Sequence, residues 1–449
     1  MPKTLPNGQS PCTWSTMRFK WRPMSKLILI GIGPDGPTQA GQTALQKVSC
    51  VVTAARHKDL ISNLPCEILP ISPLSEALSK IETRLTLGDV AVLASGDPLF
   101  FGIGRSLSTR FGAERLTIHP AISSMQLAFS QLKEPWDDAI FMSLHGRVKP
   151  SLAAADQMIT SASPREQYAD QDLFPALMTQ RPLFLFTDPH QRPEIIAAGI
   201  NRQMETIGLN DSDCRIMVAE ELGSDNERIT HGTPKSIATQ RFSDLNVMII
   251  RLTAPASPTT KFLFGLKETE IAHSRGLITK DEVRSAILHR LRLPQTGVFW
   301  DIGAGSGSIS IEAARLCPGL TVFAIERNTD QQQNIAINRQ KFRLANLHLI
   351  PGQAPDPLTE LPDPDRVFIG GSGGQLPAIV TIASTRLKAH GIIIASAVTK
   401  NTRDTAPRIF HQHGLHVDIS TITISREIYP PQANGPLSLN PITIITGSK

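Results

Sequence analysis

At 449 residues the chain exceeds what one ordinary hydrophobic core supports, so two or three domains are expected. Hydrophobic residues at 41% and charged residues at 19% exclude a disordered chain, and 5% aromatics leave little material for stacking on single-stranded nucleic acid. The net charge of +5 carries no long basic run and favours an acidic partner; no apolar stretch approaches the roughly 18 residues of a membrane span, and the five scattered cysteines form no C-x-x-C pair, as in a cytoplasmic protein with reduced thiols and neither disulfides nor a metal site.

Residues 1–23 are polar and contain prolines. They are expected to be a disordered lead, or an upstream start with Met24 as the true one. The first strand follows, Leu27 to Ile30, and runs into the turn Gly31-Ile-Gly33-Pro-Asp-Gly36. Glycine has no Cβ, so such a turn brings bare backbone N–H groups against a ligand. Val90–Ala94 and Leu116–Ile118 are further strands with helices between them, an α/β pattern. Between these strands lies Ser95-Gly96-Asp97-Pro98, where Gly96 and Pro98 force a sharp turn and Asp97 caps the new helix or faces a bound cation. Neither turn has the Lys and Ser/Thr of a phosphate-binding P-loop, which excludes an ATPase of that type.

A second set of elements spans Ile140 to about Leu252, with strands at Leu183–Phe186, Arg215–Ala219 and Asn246–Arg251. Within it, residues 148–180 are rich in Ser, Ala, Gln and Asp and read as a helix plus a surface insertion. The domains expected are therefore 24–253, as two lobes of about 24–132 and 133–253, a Pro-containing linker at 254–261, and a third unit at 262–449. The third unit opens with a helix from about Lys280 to Leu291, where Thr279 and Glu282 have capping-box spacing. It continues with a strand (Val298–Ile302), a glycine turn, a helix (Ser308–Leu316) and a strand (Thr321–Ile325), the order of a doubly wound sheet with its ligand at the carboxyl ends of the strands.

The downstream turn places Asp301 before Gly303, Gly305 and Gly307, with Glu326 at the end of the next strand, where a carboxylate can accept ribose hydroxyls. Acid, turn and second acid together resemble the class I S-adenosylmethionine (SAM) methyltransferases. NAD binding and a purely structural turn are the other readings of these residues. The upstream Gly-x-Gly-Pro and Gly-Asp-Pro turns resemble the tetrapyrrole methylases, a SAM-using fold of two α/β lobes. The likeness extends to Pro120-Ala-Ile-Ser123, Ser143-Leu-His145-Gly-Arg147, Ala219-Glu-Glu-Leu-Gly223 and Leu245-Asn-Val247, and points to the branch that methylates precorrin-6 at C5. In the third unit, Gly276–Arg284, Trp300–Glu312, Gly352-Gln-Ala-Pro355, Phe368-Ile-Gly-Gly371 and Ala397-Val-Thr399 resemble the methyltransferases that act at C15 and decarboxylate the C12 acetate.

The resemblance implies one SAM in each half. Gly31, Gly33, Asp97, Gly102 and Ser123 would hold the first, and Asp301, Gly303, Gly305, Gly307 and Glu326 the second. A polycarboxylate tetrapyrrole suits cationic clamps, for which Arg56, His57, Arg105, His145, Arg147, Lys280 and Arg284 are the candidates. No catalytic base is identified, because an electron-rich meso carbon can attack a methyl donor directly. The resemblance also implies a homo-oligomer, while the scarce aromatics and the lack of an apolar span speak against a nucleic-acid or membrane partner. Two other substrates stay open, a cobalt-containing intermediate and, since the fold has an RNA-methylating branch, RNA.

Overall fold

The computed structural model describes residues 25–144, 173–253, 262–427, 429 and 437–449. The lead at 1–23, His145, Arg147, most of the 148–180 segment and the 254–261 linker lie outside the described residues. The chain forms two compact units that divide between Leu127 and Ala128.

The first unit is an α/β layer. Strands β1 (Leu27–Gly33), β2 (Gly36–Pro37), β3 (Cys50–Thr53), β4 (Glu67–Pro70), β5 (Val90–Ser95) and β6 (Leu116–His119) form one sheet. In it β1 lies between β5 and β6, parallel to both, and β5 continues to β3 and β4. The apolar run of β1 is uninterrupted because both faces of the sheet are covered. Leu27 and Leu29 pack on one side with Val52, Val90 and Leu107, while Ile28 and Ile30 pack on the other with Val51 and Leu93. Helices α1 (Gln39–Leu45), α2 (Leu74–Leu85) and α3 (Gly104–Phe111) supply the covering layers, and α4 (Ser124–Leu132) follows β6.

The second unit holds two sheets. Strands β7 (Ile140–Ser143), β8 (Leu183–Phe186), β9 (Cys214–Glu220), β10 (Arg228–Gly232) and β11 (Asn246–Leu252) form the first, in the order β10-β9-β11-β8-β7. All its pairs are antiparallel except β7 with β8. Helices α5 (Leu173–Met178), α6 (Pro193–Thr206) and α7 (Pro234–Ala238) belong to it. The expected helix in the 148–180 region is represented among the described residues by α5.

The other sheet comprises β12 (Thr296–Ile302), β13 (Gly319–Glu326), β14 (Leu347–Pro351), β15 (Arg366–Ile369), β16 (Ile392–Ala397), β17 (His416–Arg426) and β18 (Leu437–Ser448). Its order, β14-β13-β12-β15-β16-β18-β17, reverses direction at β12, and the first five strands are parallel. This is the doubly wound arrangement expected from the sequence, extended by an antiparallel hairpin of β17 and β18. Alternate residues serve opposite cores: Phe299, Val322 and Phe368 face one, and Trp300, Phe323 and Val367 the other. Helices α8 (Asp281–Leu291), α9 (Ser308–Leu316), α10 (Thr329–Lys341), α11 (Leu376–Arg386) and α12 (Lys400–Gln412) cover the two faces.

One local expectation is corrected. Helix α8 is capped at Lys280 without a side-chain hydrogen bond, so Thr279 and Glu282 do not form a capping box. The Glu282 carboxylate instead takes two hydrogen bonds from Arg426, at 2.9 and 2.6 Å. A charge-assisted bidentate pair outcompetes a lone backbone N–H for the same oxygens.

Candidate functional sites

In the first unit the carboxyl ends of β1, β5 and β6 meet at a wall of backbone. A Cβ on Gly31 would lie 2.1 Å from the Gly96 carbonyl oxygen and 2.5 Å from the Ala121 nitrogen. Gly96 has φ +64, and its own Cβ would lie 2.8 Å from Ser123 Cα. Gly33 is looser, 3.5 Å from the Ala121 side chain. The contacts draw Gly31, Gly33, Gly96 and Ser123 together at one sheet edge. The Asp97 carboxylate accepts the Leu99 N–H at 2.8 Å and so braces the turn, and Gly102 is pressed on the Pro98 carbonyl, which its Cβ would meet at 2.5 Å.

Beside this edge, the turn after β3 carries Arg56 and His57. His57 Nε2 lies 2.8 Å from Ser95 Oγ, at the end of β5, and Arg56 Nε lies 3.3 Å from the same ring nitrogen. Burial and then the Arg56 charge push the His57 pKa below its ordinary value, which favours a neutral imidazole. Arg105 is exposed in the first turn of α3. Ser95 and Gly96 were not singled out as site residues by the sequence reading, although both lie in the Gly-Asp-Pro segment that it used.

In the third sheet, β12 ends at Asp301 and Ile302 and turns through three glycines into α9. Gly303, Gly305 and Gly307 all have positive φ, +68, +58 and +78, a region that glycine enters without steric cost. Each has a different surrounding. A Cβ on Gly303 would lie 2.3 Å from the Gly371 carbonyl oxygen, Gly305 has nothing within 4 Å, and Gly307 packs against Ile335. Gly305 donates its N–H to Glu326 Oε2 at 2.8 Å, while Glu326 Oε1 accepts from the Asn328 N–H at 2.8 Å. The carboxylate at the end of β13 is thereby fixed against the glycine turn.

Asp301 is 1% exposed. Its Oδ2 accepts from the Ser310 N–H and hydroxyl, at 3.1 and 2.5 Å, whereas Oδ1 has no hydrogen-bond partner. Burial pushes its pKa from 3.8 to about 7, against the pull of the Ser310 bonds and assisted by the nearby Glu326 charge.

A cavity of about 210 Å³ opens at the carboxyl ends of β12, β13 and β14, lined by Gly303, Glu326, Arg327, Gly352, Gln353 and Ser372 among others. A second, of about 520 Å³, lies at the ends of β15 and β16, and the two share Gly371 and Ser372 as a common wall. Glu326 lines the cavity and Asp301 lies buried behind the turn, a setting that suits a ribose and a cationic sulfonium better than a pyrophosphate. On that chemistry the residues fit SAM: Gly303, Glu326, Gly352 and Gln353 would hold it, with Asp301 behind the turn. Arg327, Gln353 and Ser372 escaped the sequence reading. The signal for Gln353 and Ser372 is the pair of glycine-bearing segments at strand ends, Gly352-Gln-Ala-Pro355 and Phe368–Gly371, and that for Arg327 is its place directly after Glu326 at the end of β13.

The two cations proposed in this half have partners inside the protein. Lys280 Nζ donates to Glu268 Oε2 at 2.6 Å. Arg284 is 2% exposed, and its guanidinium donates to Thr279 O, Leu266 O and Asp281 Oδ1, with Glu312 Oε1 3.6 Å from Nε. These contacts turn Arg284 inward, toward the fold.

Two family models match the chain. Residues 26–238 match the tetrapyrrole (corrin/porphyrin) methylases, and residues 270–433 the precorrin methyltransferase domain. A precorrin-6Y C(5,15)-methyltransferase (decarboxylating) from Sinorhizobium sp is 31% identical over 409 residues, covering 89% of this chain and 91% of that protein. One of the same name from Mycobacterium tuberculosis is 27% identical, with 83% of this chain and 87% of that protein covered. A probable cobalt-precorrin-6B C(15)-methyltransferase (decarboxylating) from Pyrobaculum calidifontis is 38% identical over 171 residues, 38% of this chain and 87% of that protein.

Proposed function

We infer the working of both sites from the premise that this chain belongs to the precorrin-6Y C5,15-methyltransferase (decarboxylating) family. It is a SAM-dependent C-methyltransferase of cobalamin biosynthesis, acting on a precorrin. The finer assignment is ours: residues 24–253 methylate C5, and residues 262–449 methylate C15 and remove the carboxyl group of the C12 acetate, each half with its own SAM.

The observation that carries this division is the occurrence of two glycine-lined strand-end sites in two separate sheets, one around Gly31 and Gly96 and one around Gly303 and Gly371. The relative from Pyrobaculum calidifontis supports it, since that protein is named for C15 methylation with decarboxylation and matches 38% of this chain over 87% of its own length. SAM supplies an electrophilic methyl group on a sulfonium. The protein's part is to hold the meso carbon and the methyl group in line within a dry site, which is worth up to about 7–11 kcal/mol of barrier. In the second half, Glu326 and the backbone around Gly303 orient the donor, and the larger cavity beyond Gly371 and Ser372 takes the acceptor. In the first half, Arg56 and His57 stand where carboxylate arms could be clamped.

Anaerobic incubation of the purified chain with metal-free precorrin-6B and methyl-labelled SAM tests the assignment. The expected product gains two methyl groups and loses one carbon dioxide. A single methyl gain without decarboxylation would sink the assignment to the second half, and a single gain with it would sink that to the first. Reaction only with a cobalt-bearing substrate would replace the metal-free one. The relatives that span both halves carry the precorrin name without cobalt, which favours the metal-free form.

A further inference from the structure

We propose that the 520 Å³ cavity receives the acetate arm that is decarboxylated and promotes the loss of carbon dioxide by presenting no ionised side chain to it. The inference rests on the assignment of decarboxylation to the second half. Its polar lining consists of Ser372, Ser396, Thr399, Asn401, Thr402 and Thr405, and the remaining walls are apolar side chains and glycines. Among the described residues that line it there is no Lys, Arg, His, Asp or Glu. A tetrapyrrole with many carboxylate arms calls for cations wherever an arm is simply to be held. A neutral pocket next to the methyl-transfer site therefore serves a different purpose.

The location suits the chemistry. The cavity shares Gly371 and Ser372 with the cofactor cavity, so a ring edge presented to the donor lies beside it. C15 is attached to the same pyrrole-derived ring that carries C12, so the arm on C12 is close to the carbon being methylated. The volume exceeds what a carboxymethyl group fills, which leaves room for part of that ring.

In the reaction, the bond between the acetate methylene and its carboxyl carbon breaks. The electron pair moves into the conjugated ring and carbon dioxide leaves. A proton from solvent water then adds to the methylene to give a methyl group. No oxidant or reductant takes part. The starting carboxylate is a localised charge that loses hydration on entering the cavity, whereas at the transition state that charge is spreading into the ring. Hydroxyl and amide donors and the first turns of α11 and α12, each a partial positive charge of about one half, orient the carboxylate while stabilising it less than a full cation in contact would. A cation placed there would favour the localised carboxylate over the dispersed transition state and slow the step.

The test compares two substitutions of similar length and opposite consequence, Thr402→Lys and Thr402→Met, in the full chain. Thr399 Oγ1 accepts the Thr402 N–H at 3.2 Å, a backbone bond open to both variants, and both lose alike the 3.0 Å contact between the two hydroxyls, so the comparison between them is matched at the helix cap. Carbon dioxide loss is followed by product mass with precorrin-6B and SAM, and SAM stoichiometry is measured separately by calorimetry. The expected result is decarboxylation at least about tenfold slower in the Lys variant than in the Met variant, with SAM stoichiometry equal in both. Ser396→Lys and Ser396→Met provide a second pair should either Thr402 variant fail to fold. Equal rates within each folded pair overturn the inference alone. A native chain that methylates twice without releasing carbon dioxide overturns the decarboxylase assignment, and the inference with it.

Discussion

Asp301 illustrates how a residue visible in sequence acquires its property only from packing. Its place before the glycine turn was legible, but its burial and the unpartnered Oδ1 were not. The folded pKa of about 7 lies above the ordinary 3.8, so the folded state binds the Asp301 proton more tightly than the unfolded state. The stabilisation is complete below about pH 4 and is lost as pH rises through about 7. Asp301→Asn should therefore flatten the pH dependence of Tm across that window in the SAM-free protein. Thermal melts from pH 4 to 8 check it, and an unchanged slope would count against the assigned burial. Gly303 supports a sharper prediction. Its φ of +68 and the 2.3 Å approach to the Gly371 carbonyl leave no room for a methyl group. Gly303→Ala should displace the turn and lower C15 methylation by about 100-fold or more, with C5 methylation retained. The paired variant Gly31→Ala, whose Cβ would lie 2.1 Å from the Gly96 oxygen, should do the reverse.

At the scale of elements, the segment before α8 is secured by charge. Glu312, on α9, is fully buried; it accepts the Leu266 N–H at 2.7 Å and pairs with Arg284 and Arg315. Burial pushes its pKa up, while the Leu266 N–H and the two guanidiniums pull it down. Removing Arg284 leaves the buried Glu312 with Arg315 as its remaining cationic partner and strips the Leu266 and Thr279 carbonyls of their donor, so Arg284→Ala should cost about 3–5 kcal/mol in urea unfolding. Lys280→Ala, at a partly exposed pair with Glu268, should cost about 0–1 kcal/mol. Equal losses in the two would contradict the inward role of Arg284. Sequence spacing showed that Arg284 lay near a motif and that α8 existed. It could not show which way the guanidinium faced, because Glu312 and Leu266 are distant in sequence and meet it only through the packing of α8 on α9. The capping box failed for a related reason: Arg426, from the far end of β17, takes the Glu282 carboxylate.

At the scale of the whole molecule, two cofactor sites predict a binding stoichiometry. The native chain should bind two SAM by calorimetry, and Gly31→Ala or Gly303→Ala one each. One SAM in the native chain would reduce a half to a non-catalytic module. A weak dependence of substrate binding on salt, compared with the steep one of a phosphate-rich polymer, separates the precorrin reading from RNA methylation. The sequence by itself determined the α/β class, the doubly wound character of the third unit, the two glycine turns and their acids, and the family likeness. These are local properties: an apolar run long enough for a buried strand, a glycine where no side chain fits, a carboxylate one strand further on. Only the tertiary structure decided which charges turn inward and which polar groups line each cavity. It alone shows Gly371 and Ser372 as the wall between two cavities and the larger cavity as lined by neutral side chains. Those features depend on segments far apart in the chain, and no spacing rule carries the packing that brings them together.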